Sequence, residues 1–495
     1  MWEKIKQYMK GVAMRLGMVK ELKQLDSHKE IEIDESAYEY IEKNKKIYAG
    51  EPDWQVYKEY PSFQKTHVNR TMKTFNMGKK VSEKMAMLIF SEKVKMNIDN
   101  DEAKEFVESV LEDNDFVYNF PRYLEYMFAL GGSAIKVYFD PDKEKIKLSY
   151  APADAFFPLS NDSSKIDEAL FVDAESKNGK FYTLLEFNEW DGDLYTIRNE
   201  LYKSDSADKL GKQTNLSELY EDMEEETAMP DLRRPLYVYF KPNIANNKNL
   251  HSPLGISLYE NCYDTLYLLD YMYDFWWHEF RMGKRKVAVS KALLYPIMED
   301  ERLRGMFDPE ETIYEAVNDE NDPVQDLTVD IRVEQIISGI NAALDILAMQ
   351  TGLNPGTFRF DGTGIKTATE VISQNSETYQ TKNAHEQLVD KGIKDLITTI
   401  VDVGKLYKLY KGPDEFGVTL DFDDSIAQDR NQNMAYYSSM YNSKLMPHLY
   451  SVMRANDLTE KEAQEWIDMM KQENGSAVTD EMSDAFGVGA QNVGE

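Results

Sequence analysis

The chain has 495 residues, a length that suits about three domains or one multi-part subunit. Hydrophobic residues make up 42% and aromatics 12%, with 31 Tyr and 22 Phe, which allows a packed core and excludes wholesale disorder. Against 57 Lys and Arg stand 88 Asp and Glu, a net charge of −31, the wrong sign for a protein that wraps nucleic acid by neutralising phosphates.

A single cysteine, Cys262, excludes a disulfide framework and a cysteine-based zinc cluster. The six histidines lie far apart and leave little for a histidine metal site. No catalytic chemistry and no cofactor are expected.

In residues 1–25 the apolar positions Trp2, Ile5, Met9, Val12 and Leu16 share one helical face. Lys4, Lys6, Lys10, Arg15 and Lys20 interrupt every apolar run, so no signal peptide is predicted. A helix docked on its own protein or on a neighbouring subunit is expected, with a basic amphipathic membrane helix as the competing reading. Nowhere do ~18 apolar residues run without a charge, so nothing is predicted to span a bilayer. A soluble, non-secreted protein follows.

Residues 30–130 read as mainly helical, with helix-spaced apolar residues over 81–90, 103–111 and 117–130. Gly131-Gly132 breaks the pattern. The period then shortens: 133–139, 146–150, 169–173, 182–187 and 194–198 alternate between turns such as Asp140-Pro141-Asp142 and Trp190-Asp191-Gly192-Asp193. Antiparallel strands are predicted there. The acidic run 218–226 reads as solvated surface.

From Ser252-Pro253 the period lengthens again, and 254–282 is predicted to be one helix of about 40 Å. Tyr259, Tyr263, Tyr267 and Tyr271 recur at four-residue steps, followed by Tyr273, Phe275, Trp276, Trp277 and Phe280. Its acids also recur at four, as Glu260/Asp264 and Asp270/Asp274. One helix cannot bury that much aromatic surface alone, so packing between helices, other subunits included, is expected. Arg281, Lys284, Arg285 and Lys286 at its end either complement the helix dipole or meet a phosphate.

Strand-like runs at 287–289 and 312–314 follow among acidic turns. A second helix over 329–353 carries Val333, Ile336, Ile337, Ile340, Leu344 and Leu347 on its apolar side and stops at Gly352, Asn354, Pro355 and Gly356. The stretch 357–366 is glycine-broken. Thr367-Ala368-Thr369-Glu370 is a capping box, opening a helix that runs to about 411. Its first half is polar nearly all round, and its second has Val389, Ile393, Leu396, Ile397, Ile400, Val403 and Leu406 at core spacing, with Gly392 and Gly404 as bend points. A strand at 417–422 and helices over about 427–473 precede a frayed tail at 475–495. Asp421, Asp423 and Asp424 form an acid turn or a cation site.

Two apparent motifs fail. Gly362-Thr363-Gly364-Ile365-Lys366-Thr367 lacks the glycine directly before the lysine and the preceding strand of a phosphate-binding loop. His278-Glu279 and His385-Glu386 open a zinc-protease pattern, but Met282 and Val389 stand where the second histidine belongs.

The run Ile331-Arg332-Val333-Glu334, then Gly352-Leu353-Asn354-Pro355-Gly356-Thr357-Phe358-Arg359-Phe360-Asp361, Lys366-Thr367-Ala368-Thr369-Glu370-Val371 and Thr378-Tyr379-Gln380-Thr381 resembles the phage portal proteins of Gram-positive tailed phages. The order of predicted elements matches that group over most of the chain. The resemblance implies an α+β subunit of a twelve-fold ring at one capsid vertex, through which double-stranded DNA is packaged and ejected.

It further implies a wing at 1–250, joined by the strand near 412–424, against the major capsid protein. Stem helices would lie at 251–284 and 329–351. A clip at 285–328 would meet the terminase large subunit and later the head–tail adaptor. A tunnel loop at 352–366, a long bent helix at 367–411, a helical crown at 425–474 and a flexible tail at 475–495 would follow.

On that assignment Glu260, Asp264, Asp270 and Asp274 are expected on a negative channel wall. Arg285, Lys286, Glu310 and Glu311 are expected to face partners. Asn354, Phe358, Arg359, Phe360, Asp361 and Lys366 are expected at the DNA. If the loop is extended, Phe358 and Phe360 share one side and pack between neighbouring loops, opposite Arg359 and Asp361. A DNA conduit must not hold its cargo, because each neutralised phosphate adds affinity and slows sliding, so the acidic balance suits a passage. The competing expectation is a tail or baseplate adaptor with no DNA-conducting role.

Overall fold

The computed structural model describes residues 34–55, 71–90, 94–162, 165–283 (without 208, 222 and 231), 287–290, 313–316, 324–326, 328–360, 368–422 (without 414), 430–456 and 462–471, together with the single positions 25, 28, 31 and 458. The expected N-terminal helix, Arg285, Lys286, Glu310, Glu311, Asp361, Lys366, the Thr367 cap, Asp423, Asp424 and the tail lie outside the described residues. The class is α+β, as expected. The chain divides into two units, residues 1–362 with 380–423, and residues 363–379 with 424–495.

Among its described residues the larger unit begins with four α-helices and a strand between the second and third. Helix α1 (Glu35–Ala49) starts where the Asp34 carboxylate accepts from the Ala37 amide and stops at Gly50 in the left-handed region. Helix α2 (Met77–Ile89) leads to strand β1 (Lys95–Ile98). Helix α3 (Asp101–Asp113) is capped by Asn100, with Asp101 and Glu102 against the positive pole of its first turn. Helix α4 (Phe116–Leu130) ends at Gly131, whose φ of 93° suits glycine alone; a Cβ there would lie 2.8 Å from the Gly255 carbonyl.

Strands β2 (Ser133–Asp140) and β3 (Lys145–Pro152) form the predicted hairpin, and β2 is buried along its whole length. Strands β4 (Phe156–Asp162), β5 (Lys165–Lys177), β6 (Lys180–Asp191), β7 (Leu194–Ser204) and β8 (Lys212–Thr214) make an antiparallel sheet in that order, with β9 (Glu226–Met229) also on β7. Two of its tight turns are Asn178-Gly179, where both residues have positive φ, and Gly192-Asp193. Strand β10 (Tyr237–Phe240) lies on the other edge of β2.

The helix expected over 254–282 is shorter. Helix α5 spans Tyr263–Met282, about 30 Å at 1.5 Å per residue. Residues 254–259 form a buried strap instead, with Leu258 N–H donating to the Phe128 carbonyl at 2.9 Å. Gly255 permits this because its backbone passes within contact of Gly131.

After α5 come β11 (Val287–Ser290), β12 (Ile313–Ala316) and β13 (Val324–Asp326), a sheet with β11 central, parallel to β12 and antiparallel to β13. Helix α6 spans Val333–Gln350 and α7 Ala368–Leu406. The glycines expected to bend α7 are points of close approach: a Cβ at Gly392 would sit 2.3 Å from the Phe240 ring and one at Gly404 2.5 Å from the Phe106 ring. The second half of α7, with Val389, Ile393, Leu396, Ile397, Ile400, Val401 and Val403 buried, is part of the main core. Strand β14 (Val418–Asp421) pairs antiparallel with β1. The smaller unit holds α8 (Arg430–Asn442), α9 (His448–Asn456) and α10 (462–471); Ser451 Oγ donates to the Tyr437 carbonyl at 3.0 Å.

Between β2 and the large sheet lies a buried polar chain. Lys136 Nζ meets Glu186 at 2.7 Å, Asn188 donates to the other Glu186 oxygen at 3.1 Å, Tyr195 O–H donates to Asn188 at 2.9 Å, and the Leu236 amide donates to Tyr195. Such a pair stabilises only when complete, because removing one partner strands a charge. Lys136→Met is therefore expected to cost about 3–5 kcal/mol. Adding Glu186→Leu should recover a large part of that loss, which chemical denaturation of both variants will measure.

Candidate functional site

The geometry centres on α5, α6 and the segment that follows them. Thr265 near the start of α5 donates to Gln350 at the end of α6 at 2.8 Å. Glu279 near the end of α5 takes both arms of Arg332, just before α6, at 2.9 and 3.0 Å. The two helices are therefore antiparallel neighbours. Arg332 holds the Glu279 carboxyl below the usual carboxylate range.

Three of the four acids expected on an exposed wall point inward instead. Glu260 accepts from Asn44 Nδ2 at 3.2 Å and from the Ser257 amide at 3.1 Å. Asn44, on α1, also accepts from Tyr263 O–H at 2.8 Å, and its carbonyl accepts from Tyr259 O–H at 2.9 Å. Asp270 accepts from Trp54 Nε1 at 2.9 Å, Thr74 Oγ1 at 3.1 Å and the Phe75 amide at 2.7 Å. Asp274 accepts from the Lys73 amide at 2.9 Å.

All three are at most 5% exposed, and burial pushes the Glu260 and Asp270 carboxyls up despite their donors. Buried side chains gripping their own subunit cannot form a solvent-facing wall. Asp264 alone of the four is exposed. On the face it shares, Tyr267, Leu268 and Tyr271 are also exposed, and on one face of α6 so are Ala342, Ile346 and Met349.

The loop begins with turns. Gly352 has a φ of 69° and packs its backbone on Thr381 of α7, where a Cβ would meet Oγ1 at 2.5 Å. Thr357 N–H returns to the Asn354 carbonyl at 3.1 Å and Arg359 N–H to that of Gly356 at 3.4 Å. The extended path on which the alternation of sides depended is not adopted over 354–359. Phe358 is half-buried against the subunit's own core. Phe360 is 51% exposed, its ring 5.9 Å from Phe75 and 6.5 Å from Trp276. Arg359 engages Asp345 of α6, which also accepts from the Gly356 amide at 2.8 Å, and this holds the Asp345 carboxyl below its usual range. Asn354 is half-buried.

Sequence reasoning missed Asn44, Trp54, Asn341 and Asp345. The last two carried a usable signal: two polar residues four apart on a helix whose neighbouring positions are apolar. Among the described residues no group of three or more His, Cys, Asp or Glu is placed to hold a metal ion, and no helix is long and apolar enough to cross a membrane. His385, half of a failed zinc motif, is buried against Phe128 and accepts from the Asn243 amide at Nδ1, 3.0 Å.

Two predictions follow from these buried groups. Asp270→Ala leaves three donors without an acceptor, at about 1–3 kcal/mol each, so its melting temperature should fall well below that of Asp270→Asn, which keeps an acceptor oxygen. Burial lowers the His385 pKa to about 4. Because the folded form resists protonation, stability is complete above the unfolded value near 6.5 and is lost as pH falls from there towards 4, by about 3 kcal/mol in all. His385→Asn should flatten that part of a stability–pH profile.

A family model described as phage portal protein, SPP1 Gp6-like, matches residues 27–476. No curated protein sequence matches the chain. Among solved structures the chain is similar to one from the neck of an empty GTA particle computed with C6 symmetry, at a TM-score of 0.41 and 10% identity, over 74% of this chain and 85% of that one. It is also similar to one from the neck of a native GTA particle computed with C12 symmetry, at 0.38 and 10%, over 78% and 89%.

Proposed function

The chain belongs to the SPP1 Gp6-like family of phage portal proteins, and from that premise we propose that its copies close into a twelve-fold ring at one capsid vertex. Double-stranded DNA passes inward through the ring during packaging and outward at ejection. The observation that carries the assembly is the uncovered apolar surface of the antiparallel pair: Leu268 at 39%, Tyr271 at 45%, Ile346 at 47% and Met349 at 58% exposure. Stripes of this kind on two adjacent helices mark a surface for a partner, and head-to-tail contact between copies covers every stripe once a ring closes.

In this reading α5 and α6 are the stem. The β11–β13 region, with Arg285, Lys286, Glu310 and Glu311, is the clip that meets the terminase large subunit and then the head–tail adaptor. The wing, residues 1–250 with β14, faces the major capsid protein, and the helices over 425–474 form the crown. The loop 352–366 faces DNA through Asn354, Phe360, Asp361 and Lys366, while Phe358 anchors it to the subunit. Asp264 remains as a stem acid for the channel wall. The net charge of −31 supports passage over retention, since few neutralised phosphates mean little affinity to slow sliding. The place of work is the virion vertex, and the role is structural.

The test is assembly. Purified protein should form rings with a central hole in end-on negative-stain images, and Leu268→Glu with Ile346→Glu should leave monomers of unchanged helix content. Monomers of the parent chain at every concentration would overturn the reading.

A further inference from the structure

Three loop residues, Gly356, Arg359 and Phe360, make polar contacts to two side chains of α6. Asn341, 7% exposed, and Asp345 stand four residues apart, on one face and one turn from each other. Asn341 Oδ1 accepts from the Phe360 amide at 3.3 Å. Asp345 accepts from the Gly356 amide at 2.8 Å and from Arg359 through Nε, at 2.9 and 3.0 Å to its two oxygens, and through Nη2. The Arg359 side chain keeps 37% of its surface exposed and that of Asp345 17%, so the pair lies where a passing polyanion can approach it.

We propose that Asn341 and Asp345 are a latch that holds the loop on its own helix and masks the charge of Arg359 from DNA. The proposal rests on the reading of this loop as DNA-facing. A guanidinium with both arms in a carboxylate offers a phosphate little net charge. Released, its planar fork matches a phosphate as well as it matched the carboxylate. Each subunit would then add one cation to the DNA path, and each phosphate so neutralised raises affinity in a salt-dependent way. The latch keeps the loop compatible with sliding, and Asp345 and Asn341 act as positioning residues without touching DNA themselves.

Asp345→Asn is the informative variant, because it keeps the shape and an oxygen for the Gly356 amide while removing the charge that holds Arg359. In peptide-resolved hydrogen exchange on the purified protein, Asp345→Asn and Asn341→Ala should each speed exchange over 353–360 by about tenfold, the factor for one lost contact of about 1.4 kcal/mol. The thermal midpoint and ring images of both variants should match the parent. In a packaging assay Asp345→Asn should slow DNA uptake, more at low salt, and adding Arg359→Gln should restore it. Unchanged exchange overturns the latch. Faster exchange with parental packaging at every salt, or slow packaging that Arg359→Gln does not relieve, overturns the masking. Normal packaging after deletion of 358–362 would instead sink the DNA-facing reading, and the exchange result would stand without it.

Discussion

A carboxylate taken out of water must be given donors, and helix α5 with the turn just before it finds them in segments made roughly 200 residues earlier in the chain. Glu260 takes α1 through Asn44, Asp270 takes Trp54, Thr74 and Phe75, and Asp274 takes the Lys73 amide. Hydrogen bonds to a charged acceptor are each worth about 1.5–3 kcal/mol and are costly to leave unmade. Together they fix where α5 lies on the α1–α2 layer. Helix α6 is then set against α5 by Thr265–Gln350 at one end and Glu279–Arg332 at the other. The loop takes its place from α6, so its position depends on acids of a different helix.

This use of acids changes what the net charge means. A formal −31 suggests a uniform negative surface, but Glu260, Asp270, Asp274 and Glu186 act inside the subunit and Asp345 is matched by Arg359. The field seen by an approaching polyanion comes from the acids that stay wet, Asp264 among them. Exposed aromatics and aliphatics beside Asp264 place a low-dielectric surface next to a charge, a combination that extends the reach of its field.

Strands β2, β3, β5, β6 and β7 were readable from the sequence because alternation and turn chemistry are local, whereas β1, β4, β8, β9 and β10 were not read as strands. Asn178-Gly179 and Gly192-Asp193 close their hairpins with no help from the rest of the fold. The second half of α7 was readable for the same reason: its apolar spacing belongs to one helix. Glu260, Asp270 and Asp274 were misread because four-residue spacing looks the same on a wet face and on a face that meets donors from a distant segment. What separates the two is Asn44, Trp54 and Thr74, which no window of sequence around residue 270 contains. The strap at 254–259 was misread because an apolar run after Pro253 fits a helix start, and only the passage of Gly255 over Gly131 reveals the extended path. In the loop, Arg359 looked available because Asp345 lies 14 residues away, on the far side of a chain reversal.

The pairing of β1 with β14 joins residue 98 to residue 418 and leaves the intervening chain as a closed excursion. Closing so long a loop is a late event, since its entropy must be met before the contact rewards it. On a ribosome the larger unit thus stays unfinished until residue 421 has emerged, with the core half of α7 arriving only shortly before. During that interval the apolar stripes of α5 and α6 are already synthesised and uncovered, next to nascent chains of the same sequence. Pairing between copies before β14 has docked would trap subunits whose first sheet edge is open, a hazard typical of chains this long. The position of β14 therefore orders biosynthesis: the larger unit is complete only when β14 closes on β1.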